Sequence, residues 1–114
     1  PTAIGWHQGE KEQFGDQQYD AWQTIQRSHA VANGVFVAAP NRIGTEGTLD
    51  FWGDSFVAAP FGPLLAKASH DREELLVVDC DLARVEETRQ HWPFLRDRRI
   101  DFYGGLVKRM IDDA

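Results

Sequence analysis

The 114-residue sequence is poor in cysteine, in positive charge and in long apolar runs. Its single cysteine, Cys80, excludes an internal disulfide, so we expect a reducing, cytoplasmic compartment. Twelve Lys and Arg oppose eighteen Asp and Glu, a net charge of −6, which argues against nucleic acid or an anionic membrane as a partner. No apolar run approaches the roughly 20 residues of a membrane span, and no signal peptide opens the sequence.

Signatures of cofactor and catalytic sites are also scarce. No His or Cys spacing is typical of a metal site, and no phosphate-binding glycine loop is present, so we expect no metal and no cofactor. Cys80 could be a nucleophile at the start of a helix with His91 as its base. Asp79 and Asp81 flank it, however, and adjacent negative charge disfavours the thiolate. A structural cysteine is the better interpretation, and no complete catalytic set can be assembled.

What is present is a mixed pattern of helix and strand. Residues 5–15 are polar and contain three glycines, which predicts a loop, and Asp16 then resembles the N-cap of a helix that ends at Asn33–Gly34. Val35–Ala39 predicts a buried strand, and residues 44–50 predict a polar loop. Further predicted elements are strands over 51–59, 64–68 and 73–80, the last two as an antiparallel pair, a helix over 82–91 capped by Asp81, and a helix over 100–111 weakened by Gly104–Gly105. Together these elements predict an α+β fold.

Two regions are candidates for binding. His7, Glu10 and Glu12 lie in the glycine-rich segment near the start, where loops often carry binding residues. Arg96, Arg98 and Arg99 follow a group of aromatic and apolar residues, a combination typical of a protein interface.

Four segments in order resemble the C-terminal half of the nitrilase, or carbon–nitrogen hydrolase, superfamily. They are Pro1-Thr-Ala-Ile-Gly5, the stretch Ala32–Gly44 with its Pro-Asn-Arg-Ile-Gly ending, the stretch Phe51–Gly62 that begins Phe-Trp-Gly-Asp-Ser-Phe, and Trp92-Pro-Phe-Leu-Arg-Asp-Arg-Arg99. The resemblance runs from Pro1 to about Tyr103 and is strongest to the N-carbamoylputrescine amidase branch. It implies that residues 1–114 are the C-terminal part of a four-layer α-β-β-α sandwich.

The resemblance also implies a chemistry that this chain cannot complete. Members of the superfamily use a Cys nucleophile, a Glu general base and a Lys that stabilises the oxyanion, without a metal. All three lie upstream of the Pro1–Gly5 motif, so no catalytic residue can be assigned here, and Cys80 does not match the nucleophile's motif. The N-terminal half of the same protein is therefore an expected partner, and the superfamily's dimers and larger assemblies imply a homo-oligomer.

What can be transferred is one wall of the substrate pocket. The resemblance implies that Thr2, Ala3, Ile4 and Gly5 line the substrate site. After this glycine, polyamine-cleaving relatives carry a carboxylate that can meet the ammonium end of the substrate. Here His7 falls near that position and Glu10 is the nearest carboxylate, so both are candidate substrate-binding residues.

These observations leave more than one function open. The first function is hydrolysis of an N-carbamoyl amine, with N-carbamoylputrescine giving putrescine, CO2 and ammonia. The second is that of a related amidase, which acts on another amide or on an N-carbamoyl amino acid. The third is a noncatalytic role, in which a truncated or degenerate fragment acts only by association.

Overall fold

The computed structural model describes residues 2–110, which form two three-stranded sheets, two α-helices and a 3₁₀ helix. The strands are β1 (Gly5–His7), β2 (Val37–Ala39), β3 (Ile43–Glu46), β4 (Leu49–Trp52), β5 (Phe56–Ala58) and β6 (Leu64–Lys67), and the helices are α1 (Gln8–Asn33), α2 (Ala83–His91) and the 3₁₀ helix (Ile100–Val107). The sheets have the orders β1-β4-β3 and β2-β5-β6, with antiparallel pairing throughout. The α+β prediction is confirmed.

The first helix begins earlier than the sequence indicates. Because α1 starts at Gln8, the predicted loop over residues 5–15 and the predicted N-cap at Asp16 are wrong. His7 takes the N-cap position instead, and its Nδ1 accepts a hydrogen bond from the Gly9 N–H at 3.3 Å. Histidine is not a common N-cap residue, so the local sequence did not signal this start.

Two glycines of α1 have different structural roles. Gly15 lies inside the helix where Trp6 crosses it: the indole Nε1 donates to the Gly15 carbonyl at 2.9 Å, and a Cβ at Gly15 would lie 3.2 Å from that nitrogen. Gly34 ends the helix in the left-handed conformation, with φ of 60°, and its N–H donates to the carbonyls of Ala30 and Val31. The predicted end of the helix is therefore confirmed.

A hairpin replaces the loop predicted over residues 44–50. Strands β3 and β4 pair from Ile43 opposite Trp52 to Glu46 opposite Leu49, and Gly47 occupies the left-handed region with φ of 59° in the turn. Residues 44–50 are mostly polar and exposed, so the alternation of the hairpin is weak in the sequence there. Strand β4 lies at the centre of its sheet, between β1 and β3.

The predicted strand over residues 51–59 is divided between the two sheets. Its first residues end β4, its later ones form β5, and Gly53 and Asp54 separate them with φ of 59° and 55°. A Cβ at Gly53 would lie 2.6 Å from the Cγ2 atom of Ile43, so a glycine fits this crossing best. β5 then pairs with β2 on one side and β6 on the other.

The strand predicted over residues 73–80 is absent from the structure. The segment forms no ladder, and β6 pairs with β5 instead, so the predicted antiparallel pair is wrong. Leu75 and Val77 are 90% and 86% exposed. The apolar pattern suits a strand, but a strand forms only where a neighbouring strand supplies its hydrogen bonds, and residues 2–110 supply none there.

The core is an aromatic cluster between α1 and the two sheets. Trp22, Trp52 and Phe56 are buried, with the Trp22–Trp52 centroids 5.8 Å apart and the Trp22–Phe56 centroids 5.4 Å apart, both in edge-to-face geometry. Trp6 and Tyr19 pack against this cluster. Edge-to-face pairs of this kind contribute beyond the area they bury, so the cluster anchors β1 and α1 to the sheets.

The region after residue 80 lies more loosely on this core. α2 begins at Ala83, whose N–H donates to Asp81 Oδ1 at 3.0 Å, and Arg89 Nε donates to the Asn33 carbonyl at the end of α1 at 3.0 Å. The helix predicted over 100–111 is a 3₁₀ helix that ends at Val107, and its predicted last residue lies outside the described range. The radius of gyration is 18.3 Å, against about 13 Å for a compact domain of this length.

No helix within residues 2–110 is long and apolar enough to cross a membrane.

Candidate functional site

The segment Thr2–Gly5, the candidate pocket wall, lies beside the residues that follow β2. The Thr2 N–H donates to the Pro40 carbonyl at 2.7 Å, and the Arg42 N–H donates to the Thr2 carbonyl at 3.2 Å. These bonds make a single parallel bridge between Thr2 and Asn41. Ala3 is exposed and the Ile4 side chain is 38% exposed, so this segment presents accessible atoms.

The side chain of Asn41 joins the wall segment to the start of the next loop. Its Oδ1 accepts hydrogen bonds from Thr2 Oγ1 at 2.9 Å and from the Ile4 N–H at 3.0 Å. Its Nδ2 donates to the carbonyls of Ile4 at 3.1 Å and Gly53 at 2.9 Å. The Pro-Asn-Arg-Ile-Gly motif contains this residue, and its position after a strand fits either a structural hydrogen-bonding role or a place near the active site, but no local pattern predicts its bonds to Thr2 and Ile4.

Gly5 begins β1, and it must be a glycine because the neighbouring strand is so close. It pairs with Phe51 on β4, and a Cβ at Gly5 would lie 2.2 Å from the carbonyl oxygen of Asp50. Such a contact is far inside van der Waals distance, so any side chain here would separate the two strands.

Both nitrogens of the His7 ring face groups of the protein. Nδ1 accepts from the Gly9 N–H, and Nε2 lies 3.2 Å from the Thr48 hydroxyl in the β3–β4 turn. The ring thus caps α1 and ties its start to the hairpin. His7 is exposed to solvent, but both of its ring nitrogens already have partners in the protein.

Glu10 lies in the first turn of α1 and is exposed. Its Oε2 accepts a hydrogen bond from Gln18 Nε2 at 3.4 Å. A carboxylate in the first turn is stabilised by the helix dipole, and it remains accessible to a cation from outside. The substrate-binding roles of His7, Glu10 and Thr2–Gly5 stay predictions.

A second carboxylate near the same helix start, Asp50 on β4, is already paired. Its oxygens accept hydrogen bonds from Gln8 at 3.2 Å, Thr45 at 2.9 Å and Lys11 at 3.2 Å. These hydrogen bonds, first those from Gln8 and Thr45, hold the pKa of Asp50 below its usual value of 3.8. Asp50 therefore connects α1 with the hairpin and is a structural carboxylate.

An open polar cleft of about 620 Å³ includes Asn41 in its lining. Arg42, Arg72 and Glu74 line it, and Arg72 Nη2 pairs with Glu74 Oε1 at 3.0 Å. Within the described residues, no group of three or more His, Cys, Asp or Glu side chains is arranged to hold a metal ion.

An apolar groove of about 560 Å³ lies between the start of β1 and α1. We call it the indole groove; its lining residues are Ile4, Gly5, Gln18, Ala21, Trp22, Ile25 and Trp52. The indole Nε1 atoms of Trp22 and Trp52 are buried, and within residues 2–110 neither has a hydrogen-bond partner. A buried donor without an acceptor is unfavourable by about 1–3 kcal/mol. Because both atoms are inaccessible, this cost lies in the aromatic core and not at the surface of the groove.

Cys80 lies apart from these features. It is a partly exposed free thiol in the extended segment after β6. His91 Nδ1 lies 2.8 Å from the Glu87 carbonyl of its own helix, so this histidine is engaged within α2. The described contacts thus join neither residue to the other or to the wall segment.

The sequence of the chain matches an established family. The family model described as carbon-nitrogen hydrolase matches residues 12–90, more than half of the chain. The chain belongs to the carbon-nitrogen hydrolase family. The family resemblance expected from the four motifs is confirmed.

Individual members of the carbon-nitrogen hydrolase family align with nearly the whole chain. It is 39% identical to the N-carbamoylputrescine amidase of Arabidopsis thaliana over 94% of this chain and 38% of that protein. It is 33% identical to the citrullinase of Francisella tularensis over 96% of this chain and 38% of that protein. The crystal structure of a carbon-nitrogen hydrolase from Helicobacter pylori G27 superposes with a TM-score of 0.88 and 49% identity, over 97% of this chain and 40% of that one. The chain therefore spans about two fifths of the length of these relatives.

Proposed function

We propose that this chain is the C-terminal part of a carbon-nitrogen hydrolase that hydrolyses an N-carbamoyl amine, with N-carbamoylputrescine as the substrate. The observation that carries the proposal is the 39% identity to an N-carbamoylputrescine amidase over 94% of the chain. The four quoted motifs, resembling the same branch, support it. We place the protein in the reducing cytoplasm, in keeping with its single cysteine.

The proposed reaction takes place between this chain and an upstream part, the segment that carries the Cys, Glu and Lys. The cysteine thiolate attacks the carbamoyl carbon, the Lys stabilises the oxyanion, and the Glu moves the protons. A C–N bond of the carbamoyl group breaks, ammonia or the amine leaves with a proton from the Glu, and water then hydrolyses the thioester-type intermediate. For N-carbamoylputrescine, hydrolysis releases putrescine, ammonia and CO2, and the nucleophile is regenerated.

This chain contributes recognition to that reaction. Thr2–Gly5 forms one wall of the pocket, and its accessible atoms at Ala3 and Ile4 support this role. Glu10 binds the ammonium end of the substrate, because an ammonium that leaves water needs a negative partner. We favour Glu10 over His7, since both ring nitrogens of His7 already face Gly9 and Thr48.

The indole groove is where the upstream part packs. Its lining includes Ile4, Trp22 and Ile25, and a covering segment would remove this apolar surface from water. The exposed side chains of Leu75 and Val77 mark a further surface for the upstream part or for a second copy in a homo-oligomer.

Two alternatives have a specific observation in their favour. The identity to a citrullinase supports a carbamoyl amino acid as the substrate, because citrulline carries the same carbamoyl group as N-carbamoylputrescine. The exposed apolar segment around Leu75 and Val77 supports a noncatalytic chain that acts by association.

A chimera separates these possibilities. In it, the segment of the Helicobacter pylori carbon-nitrogen hydrolase that superposes on this chain is replaced by residues 1–114. We expect the chimera to release putrescine and ammonia from N-carbamoylputrescine, measured by product chromatography and an ammonia assay. Turnover of citrulline in its place would overturn the substrate proposal. A folded chimera that hydrolyses neither, while the parent protein is active, would favour the association-only role.

A further inference from the structure

The hydrogen bonds of Asn41 use the whole capacity of its amide. A primary amide offers two donor hydrogens and two acceptor lone pairs. In this structure all four are engaged, by the Thr2 hydroxyl, the two backbone groups of Ile4 and the carbonyl of Gly53. Three of the four lead to the wall segment, and the fourth leads to the crossing between the sheets.

The backbone of Asn41 is held from the opposite side. Its N–H donates to Ser55 Oγ at 2.8 Å, and Ser55 Oγ donates to the Asn41 carbonyl at 3.2 Å. The Gly53 N–H donates to the Arg42 carbonyl at 2.9 Å, which closes the same loop. Because hydrogen bonds to Ser55 fix the backbone of Asn41, the position of its side-chain amide determines where Ile4 lies.

We infer that Asn41 is a positioning residue for the proposed carbamoyl-amine hydrolysis. Its hydrogen bonds to Thr2 and Ile4 hold the segment Thr2–Gly5 in the position from which it contacts the substrate. The inference rests on the proposed function, because it assigns the wall to the substrate pocket. No other side chain of similar size matches the pattern. An aspartate would set a carboxylate oxygen against the carbonyls of Ile4 and Gly53, and a serine or alanine would not reach Ile4.

A displaced wall has a kinetic consequence that simple destabilisation lacks. If the wall shifts, every active molecule binds substrate less well, and misplacement of about 1 Å can lower the rate by roughly 100-fold. If a variant only lowers the fraction of folded enzyme, kcat per total protein falls and KM stays constant. The change in KM therefore separates a positioning role from a purely structural one.

The test compares Asn41→Asp and Asn41→Ala in the chimera with Asn33→Ala. Asn33 donates through Nδ2 to the His29 carbonyl at 2.9 Å within α1, far along the chain from the wall, so its loss controls for removing an amide. We expect KM for N-carbamoylputrescine to rise about tenfold or more in both Asn41 variants and to stay within about twofold in Asn33→Ala. Amide hydrogen exchange at Ile4 should become at least about tenfold faster in Asn41→Ala.

A milder substitution keeps the test decisive if Asn41→Ala folds poorly. Thr2→Val removes the hydroxyl that donates to Asn41 Oδ1, and its effect on KM should be smaller in the Asn41→Asp background than alone, since both changes affect one network. Unchanged KM in Asn41→Asp, or unchanged exchange at Ile4 in Asn41→Ala, would overturn the inference and leave the proposed function intact. An inactive, folded wild-type chimera would instead overturn the proposed function and the kinetic role of Asn41 together, whatever the exchange at Ile4.

Discussion

At the start of α1, His7 and Glu10 lie three positions apart but differ in how much of each side chain is free to bind a ligand. The His7 ring is engaged at both nitrogens, by the Gly9 N–H and by the Thr48 hydroxyl. Glu10 is exposed and accepts one weak hydrogen bond from Gln18 at 3.4 Å. The sequence named both as candidates, whereas the Nε2 contact of His7 depends on Thr48, 41 positions away.

Replacement of Glu10 by Gln should raise KM for N-carbamoylputrescine in the chimera by roughly tenfold, because one charge-assisted contact to the ammonium is lost. KM for a carbamoyl amine without a second amino group should not change. Glu12→Gln, the same substitution two residues later on the exposed helix, is the matched control. Equal KM values for Glu10→Gln and the wild type, from initial rates over a range of substrate, would eliminate this role of Glu10.

At the scale of elements, one carboxylate connects the start of α1 to the β3–β4 hairpin. Asp50 accepts hydrogen bonds from Gln8 and Lys11 of the helix and from Thr45 of the hairpin. A group whose pKa is lowered on folding contributes stability above its ordinary value of 3.8, and this contribution is lost as the pH falls through the lowered value. The junction should therefore loosen in acid.

The thermal midpoint of the chimera should fall less between pH 5 and pH 3 in Asp50→Asn than in the wild type, by about 1–3 °C. The reason is that acid protonates the Asp50 carboxylate of the wild type and removes its contribution to stability, whereas the amide of the variant does not titrate. Asp20→Asn, which changes an exposed carboxylate on α1, should follow the wild type. Circular dichroism melts at each pH measure the difference, and parallel curves for Asp50→Asn and the wild type would contradict this role of Asp50.

At the scale of the whole molecule, the residues 2–110 have an incomplete interior. The radius of gyration is 18.3 Å, and the indole groove leaves apolar surface open between β1 and α1. The residues 73–80 have a strand-like sequence and no neighbouring strand. All three features fit the proposal that an upstream part covers the groove, and the chain does span about two fifths of its relatives' length.

If the upstream part covers the indole groove, Ile25 is buried in the chimera although its side chain is 54% exposed here. Ile25→Glu should then lower the thermal midpoint by about 5 °C or more, because a carboxylate would be buried without a partner. The same change at an exposed position is close to neutral. Thr24→Glu, exposed on α1 and outside the groove, is the matched control, and equal midpoints for the two variants would argue against this packing.

The sequence by itself determined the family, the α+β class and the end of α1 at Gly34. Each of these depends on signals within a few residues, such as a left-handed glycine after a helix or a quoted motif. Only the tertiary structure decided where α1 begins, that residues 44–50 form a hairpin, and that Asn41 bonds to Thr2 and Ile4. Those features depend on contacts between positions far apart, as when Asn41 reaches Ile4 from 37 positions away, and no local pattern records such a contact.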